Sequence, residues 1–157
     1  MSIQYVNGDL LKCTSAEALV NAVNCVGVMG KGIALQFKER WPSNYADYKE
    51  ACAAGDVAIG RMHFHKLPGK TLPRYIINFP TKNHWRGRSH LLEIAEGLQA
   101  LGKLVDELKI RSIALPALGC GEGGLAWFNV RPLIESTFGG RSGVDTYVYL
   151  QGPAARE

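Results

Sequence analysis

Two glycine-rich loops carry the plainest chemistry in this 157-residue chain. The first, Asn24-Cys25-Val26-Gly27-Val28-Met29-Gly30-Lys31-Gly32, joins an apolar run, Ala18 to Val23, to a stretch with helical spacing at Ile33, Leu35 and Phe37. Glycines let the backbone turn tightly and approach a ligand, and the helix start that follows offers unpaired N–H groups with a partial positive charge. An anion suits such a place, most often a phosphate. The pattern is neither G-x-G-x-x-G nor G-x-x-x-x-G-K-[ST], because Gly32 rather than a hydroxyl residue follows Lys31. Taken alone it is as often a plain turn as a site. A second loop, Leu118-Gly119-Cys120-Gly121-Glu122-Gly123-Gly124, follows another apolar run, Ser112 to Pro116. Two such loops after two buried strands suggest a clamp on a diphosphate.

A third segment, Thr81-Lys82-Asn83-His84-Trp85-Arg86-Gly87-Arg88, is polar and basic. A lysine amine works as a nucleophile or proton carrier near neutral pH when burial and neighbouring cations disfavour its charged form; Arg86, Arg88 and His84 are the neighbours here. A solvated loop lysine is the commoner case. Trp85 beside Arg86 and Arg88 has the make-up of a nucleic-acid contact, a ring for a base and guanidinium groups for phosphates, set against a tryptophan packed on a rim. The four cysteines, Cys13, Cys25, Cys52 and Cys120, contain no C-x-x-C pair, so neither a zinc site nor a disulfide framework is expected. Cys25 and Cys120 lie in the glycine loops, but no histidine stands nearby in sequence to activate them. His63 and His65 share one face of a strand with no carboxylate at ligand spacing, so no metal site is expected.

The elements that must position these residues alternate along the chain. Ile3 to Val6 reads as an outer strand ending in the Asn7-Gly8-Asp9 turn. After the first loop and its helix, a second helix is expected from a Ser43 cap, with Tyr45, Tyr48, Ala51 and Cys52 on one face and Gly55 as its stop. Met62–His65 and Arg74–Phe79 read as two strands, and Ser89 to Leu108 as a long helix with one apolar face. A strand over Ser112–Pro116, a helix over Trp127–Thr137 and a last strand over Thr146–Leu150 follow. This alternation predicts an α/β fold, a mixed sheet covered on both faces, with ligands at the carboxyl ends of the strands. Residues 1–150 form one domain on this reading, and 151–157 a frayed tail or the start of a linker. A net charge of +4 suits an anionic ligand or nucleic acid without proving either. No apolar run is long enough to cross a bilayer and the N-terminal residues lack a signal-peptide layout, so a cytoplasmic protein with no membrane partner is expected.

Four segments in order, Asn7-Gly8-Asp9-Leu10, Val20-Asn21-Ala22-Val23-Asn24, Gly30-Lys31-Gly32-Ile33-Ala34 and Pro116-Ala117-Leu118-Gly119-Cys120-Gly121, resemble the macrodomain family of ADP-ribose-binding modules over nearly the whole chain. The resemblance implies a three-layer α/β/α fold with a mixed central sheet and no cofactor. It implies that Asp9 contacts the adenine amino group and that Leu10 lines the same pocket. Asn21, Asn24, Gly30, Lys31, Gly32 and Ile33 would sit on the ADP-ribose from the first loop, and Gly119, Cys120, Gly121, Glu122, Gly123 and Gly124 would wrap the diphosphate.

The phrase Asn78-Phe79-Pro80-Thr81-Lys82-Asn83-His84-Trp85-Arg86 is similar to the lysine-dependent branch of ADP-ribosyl glycohydrolases, and within it to DNA-directed antitoxin macrodomains of the DarG type. Lys82 matches the catalytic lysine. By the same resemblance the substrate is single-stranded DNA carrying ADP-ribose on thymidine, placed there by a DarT-like toxin, with His84, Trp85, Arg86 and Arg88 as DNA contacts. Full-length antitoxins of this type carry a further domain that binds the toxin; this sequence stops near the end of the macrodomain, so a fragment of such an antitoxin is expected. Two positions depart from the family pattern. Gly123 stands where protein-directed relatives use an aspartate, and Ala126 stands where many relatives carry an acidic residue, which leaves Lys82 as the sole catalytic candidate. A protein-directed ADP-ribosyl hydrolase, an acyl-ADP-ribose deacylase and a non-catalytic ADP-ribose reader remain open as alternatives.

Overall fold

The computed structural model describes residues 3–156. Six strands, β1 (Ile3–Asn7), β2 (Ala18–Val23), β3 (His63–Lys66), β4 (Tyr75–Pro80), β5 (Ser112–Pro116) and β6 (Asp145–Leu150), form one sheet in the order β1-β6-β5-β2-β4-β3. Every pairing is parallel except that of β3 with β4, so the sheet is mixed, with its antiparallel strand at one edge. Four helices, α1 (Gly32–Arg40), α2 (Pro42–Ala53), α3 (Leu91–Glu107) and α4 (Trp127–Phe138), complete the α/β fold.

Burial explains why β2 and β5 read as largely apolar runs. Alternate side chains of β2 serve two different cores, and a strand covered on both faces has no solvent side to be polar on. Ala18 and Val20 join Ile94, Leu98, Leu101 and Val105 of α3 and Val130, Ile134 and Phe138 of α4. Leu19 joins Phe37 of α1, with Ile76 and Ala114 from the neighbouring strands. A third cluster, with Val23, Met29, Ala34 and Tyr48 at its centre, fastens α2 beneath the first glycine loop.

The register aligns the carboxyl ends of five parallel strands. Asn7 stands opposite Leu150, Pro116 opposite Tyr149, and Val23 opposite Pro80. Four inter-strand steps make that edge about 19 Å across. Every loop that could hold a ligand leaves from it.

Local differences from the sequence expectation have physical causes. Helix α2 starts at Pro42 rather than from a Ser43 cap, because proline's fixed φ and missing N–H suit the first helical position. The Ser43 hydroxyl turns instead to His65 Nε2, 3.2 Å away. Strands β3 and β4 each sit one residue later than expected. Residues Gly152–Arg156 form a 3-10 turn with Ala154 buried, rather than a frayed end. Among the described residues no helix is long and apolar enough to cross a membrane.

Candidate functional site

A cavity of about 740 Å³ lies along the carboxyl edge of the sheet. Its lining follows the strand order. Leu10 comes from the turn after β1, Tyr149 from β6 and Gln151 and Ala154 from the residues after it, Ala117 and Gly119 to Gly123 from the loop after β5, the first glycine loop from β2, and Thr81 and Lys82 from the loop after β4. The cavity therefore runs across the strands, with its two ends at β1 and at β4.

The first loop is folded by one side chain. Asn24, buried at the end of β2, accepts through Oδ1 from the N–H groups of Val26 (3.1 Å) and Val28 (3.4 Å) and from the Tyr48 hydroxyl (2.9 Å). Its Nδ2 donates to the Val28 carbonyl at 2.8 Å. Asn24 lines the cavity as expected, with both ends of its amide engaged in shaping the loop. Lys31 precedes α1 and its side chain makes no cap, so the first N–H groups of the helix have no partner of that kind and Gly32, Ile33 and Ala34 line the cavity there. That is a seat for an anion.

The second loop is folded by main-chain bonds, Cys120 N–H to Ala117 (3.1 Å), Gly124 N–H to Gly121 (3.1 Å) and Leu125 N–H to Gly119 (2.9 Å). Gly119, Cys120, Gly121, Glu122 and Gly123 line the cavity, whereas Gly124 turns away with the Arg88 guanidinium against it. A Cβ on Gly123 would stand 2.2 Å from Ser89 Oγ and 2.6 Å from the Gly119 carbonyl oxygen. Any side chain at this place would meet Ser89 and the Gly119 carbonyl.

Lys82 bridges the two sides of the site. Its Nζ donates to the Trp85 carbonyl at 3.2 Å and, at 3.5 Å, to that of Glu122 in the second loop. It is half-exposed, between the buried amine that would favour catalysis and the fully solvated loop lysine that is the commoner case. Arg86 and His84 pack on Trp85: the Arg86 guanidinium lies 4.6 Å from the Trp85 ring centre and the His84 ring 4.9 Å from it. Main-chain bonds tie the basic loop to both glycine loops, from Cys25 N–H to Asn83 (2.9 Å) and from Ser89 N–H to Gly123 (3.0 Å).

Other expected residues are placed differently. Asp9 stands beside the lining residue Leu10 but outside the lining, and its Oδ1 accepts from Leu11 N–H at 3.0 Å. Asn21, expected on the ligand, is fully buried outside the cavity. It stands opposite Asn78 on β4, to which its Nδ2 donates at 3.3 Å, so strand alternation turns it into the sheet rather than to the edge. Burial pushes the Cys25 thiol up to about 11, which keeps it neutral and unreactive. His63 and His65 do find a carboxylate, Asp47 of α2, at 3.6 and 2.9 Å. Asn78 Nδ2 donates to His63 Nδ1 at 2.9 Å and Ser43 holds His65 Nε2, so these imidazoles tie the edge strand to α2. Among the described residues no group of three or more histidine, cysteine or acidic side chains could hold a metal.

Sequence reasoning missed Val28, Thr81, Tyr149, Gln151 and Ala154 as lining residues. For Tyr149, Gln151 and Ala154 the available signal was position: β6 was expected in the sheet, and whatever follows a parallel strand faces this edge.

A sequence profile of the Macro domain family matches residues 20–134. The chain is 49% identical over 155 residues to a Thermus aquaticus protein named DNA ADP-ribosyl glycohydrolase, and 50% identical over 154 residues to a Mycobacterium tuberculosis protein of the same name. Each alignment covers 98% of this chain and 43% or 44% of the relative, so the chain spans less than half the length of these curated relatives. Among solved structures, the macrodomain of Thermus aquaticus DarG superposes with a TM-score of 0.90 at 49% identity, covering 94% of this chain and 97% of that one. Thermosipho africanus DarTG in complex with ADP-ribose superposes with a TM-score of 0.89 at 31% identity, covering 96% of this chain and 42% of that one. With that fold, that cavity and a family match over most of its length, the chain belongs to the macrodomain family.

Proposed function

We propose that this domain hydrolyses the N-glycosidic bond between ADP-ribose and thymidine in single-stranded DNA, reversing the action of a DarT-like toxin, with Lys82 as its catalytic group. The observation that carries the proposal is the place of Lys82. Its amine is held by carbonyls from two loops at the β4 end of a cavity whose length and volume suit ADP-ribose. Adenine lies at the β1 end by Leu10 and Ala154, with Asp9 at the rim, and the diphosphate takes the α1 N-terminus and the second loop. The anomeric carbon of the distal ribose then arrives at Lys82. The half-length identity to DNA ADP-ribosyl glycohydrolases supports the DNA-linked substrate. The exposed group of His84, Trp85, Arg86 and Arg88 beside the Lys82 end offers cations to the strand's phosphates.

In the reaction the bond from the anomeric carbon to the thymine imide nitrogen breaks, a bond from that carbon to a water oxygen forms, and the nitrogen ends with a proton. An imide anion leaves readily, so one amine suffices. It acts either by taking the proton of the attacking water or by forming a Schiff base with the opened ribose, which water later releases. Lys82→Ala is expected to lower release of free ADP-ribose from a thymidine-modified oligonucleotide by about 100-fold or more, while ADP-ribose binding persists. Borohydride added during turnover separates the two routes, because only the Schiff base leaves ADP-ribose covalently fixed on Lys82. No release by the intact domain, with ADP-ribose still bound, would leave a reader or a protein-directed hydrolase.

A further inference from the structure

Three of the seven large apolar side chains that stand exposed among the described residues belong to the first glycine loop and the basic loop: Val26 (48% exposed), Val28 (39%) and Trp85 (44%). Val28 and Trp85 line the cavity together with Lys82. The loops that carry them are joined by the Cys25–Asn83 main-chain bond, and Val28 from one loop and Trp85 from the other line the same cavity. None of the three is free to fold away. The N–H and carbonyl of Val28 are both held by the Asn24 amide. Trp85 is held by Lys82 at its carbonyl and by Arg86 and His84 against its ring.

We propose that the space between Val26 and Val28 on one loop and Trp85 on the other is a slot for the thymine base itself. This rests on the function proposed above: with the anomeric carbon at Lys82, the group joined to that carbon must leave the cavity between these side chains. A flat pyrimidine carrying a methyl group covers the valines and the indole and takes their surface out of water. An ester-linked acidic side chain is slim and polar and would leave the same walls wet. The slot therefore selects the leaving group, while the cationic group outside it meets the strand. It makes Val26 and Val28 specificity-determining residues.

The test compares affinities for ADP-ribosylated thymidine nucleoside, which carries the base but no strand phosphate, and for free ADP-ribose, in a Lys82→Ala background and in the same background with Val26→Thr and Val28→Thr. Threonine keeps the shape of valine and leaves the Val28 main-chain bonds in place. The nucleoside is expected to bind about tenfold tighter than ADP-ribose to the parent. The double variant is expected to lose about fourfold or more of that advantage, read as the ratio of the two affinities in the same protein. Equal affinity for the two ligands in the parent, or an advantage unchanged by the valine substitutions, overturns the slot. Release of ADP-ribose by the Lys82→Ala protein would instead break the catalytic assignment, and the same affinity ratio would then be read as a KM ratio.

Discussion

The two glycine-rich loops look alike in sequence and are built on different physics. In the first, the Asn24 amide makes the turn, and Gly32 at its end has no neighbour within 4 Å of where a Cβ would stand. Its glycines leave an open seat above the start of α1. In the second, main-chain bonds make the turn and Gly123 is crowded from inside by Ser89 and Gly119. The same residue type therefore marks ligand approach in one loop and internal packing in the other. The first loop leaves open space for a guest; the second packs on itself and is the wall to which Lys82 donates.

Alanine at one glycine from each loop gives the largest effects and the sharpest contrast. Gly123→Ala drives a methyl into the Gly119 carbonyl, which cannot retreat without releasing Leu125 N–H. A loss of about 3 kcal/mol of stability is expected, together with at least tenfold weaker ADP-ribose binding by calorimetry. Gly32→Ala meets only the strain of its positive φ of 57°, about 1 kcal/mol. Equal melting shifts for the two variants would break the contrast.

Asn24→Ala comes next. It removes three acceptor bonds and one donor bond from the first loop, at a cost of about 2 kcal/mol. Amide exchange should quicken over residues 25–31 and stay unchanged over 119–124. Asn24→Asp keeps an acceptor for Val26 and Val28 but sets a second carboxylate oxygen against the Val28 carbonyl where the amide donated at 2.8 Å, so it too should loosen the first loop. If both loops loosen together in Asn24→Ala, the first loop is not independently folded.

Sequence reasoning reached the parts set by one element at a time. The bounds of β2 and β5 were legible because strands buried on both faces show as largely apolar runs, and the face of α3 because Ile94, Leu98, Leu101 and Val105 keep helical spacing. Both loops and the place of Lys82 followed, since parallel strands deliver their loops to one edge. What was not legible depends on contacts between elements. Asp47 meets His63 and His65 from α2, a partnership no spacing shows. Asn21 was placed on the ligand by motif position, but its cross-strand partner Asn78 takes it inward. The half-exposed state of Lys82 depends on how the basic loop curls, and Ala154 returns to the cavity only through a 3-10 turn beyond the last strand.

The smallest expected effect is a pH dependence confined to the first loop's side of the molecule. Burial lowers the proton affinity of the His63 imidazole, against the opposing pull of Asp47 and Asp56 and with a further push down from His65. Neutral His63 accepts from Asn78, which also receives bonds from Asn44 and Asn21, and the Asn21 amide reaches Met29 in the first loop at 3.8 Å. A proton on Nδ1 would set two donors face to face at 2.9 Å and disturb that chain. The unfolded chain binds the proton more readily than the folded one, so stability is full above the ordinary histidine value near 6.5 and falls as pH drops toward the lower folded value. Amide exchange measured from pH 7.5 to 5.5, corrected for its intrinsic pH dependence, should quicken at residues 24–31 while 117–124 holds steady, following the His63 ring signals by NMR. An equal response in both loops would mean the histidine senses the whole fold, and the contrast between an open loop and a self-packed wall would lose its structural basis beneath the sheet.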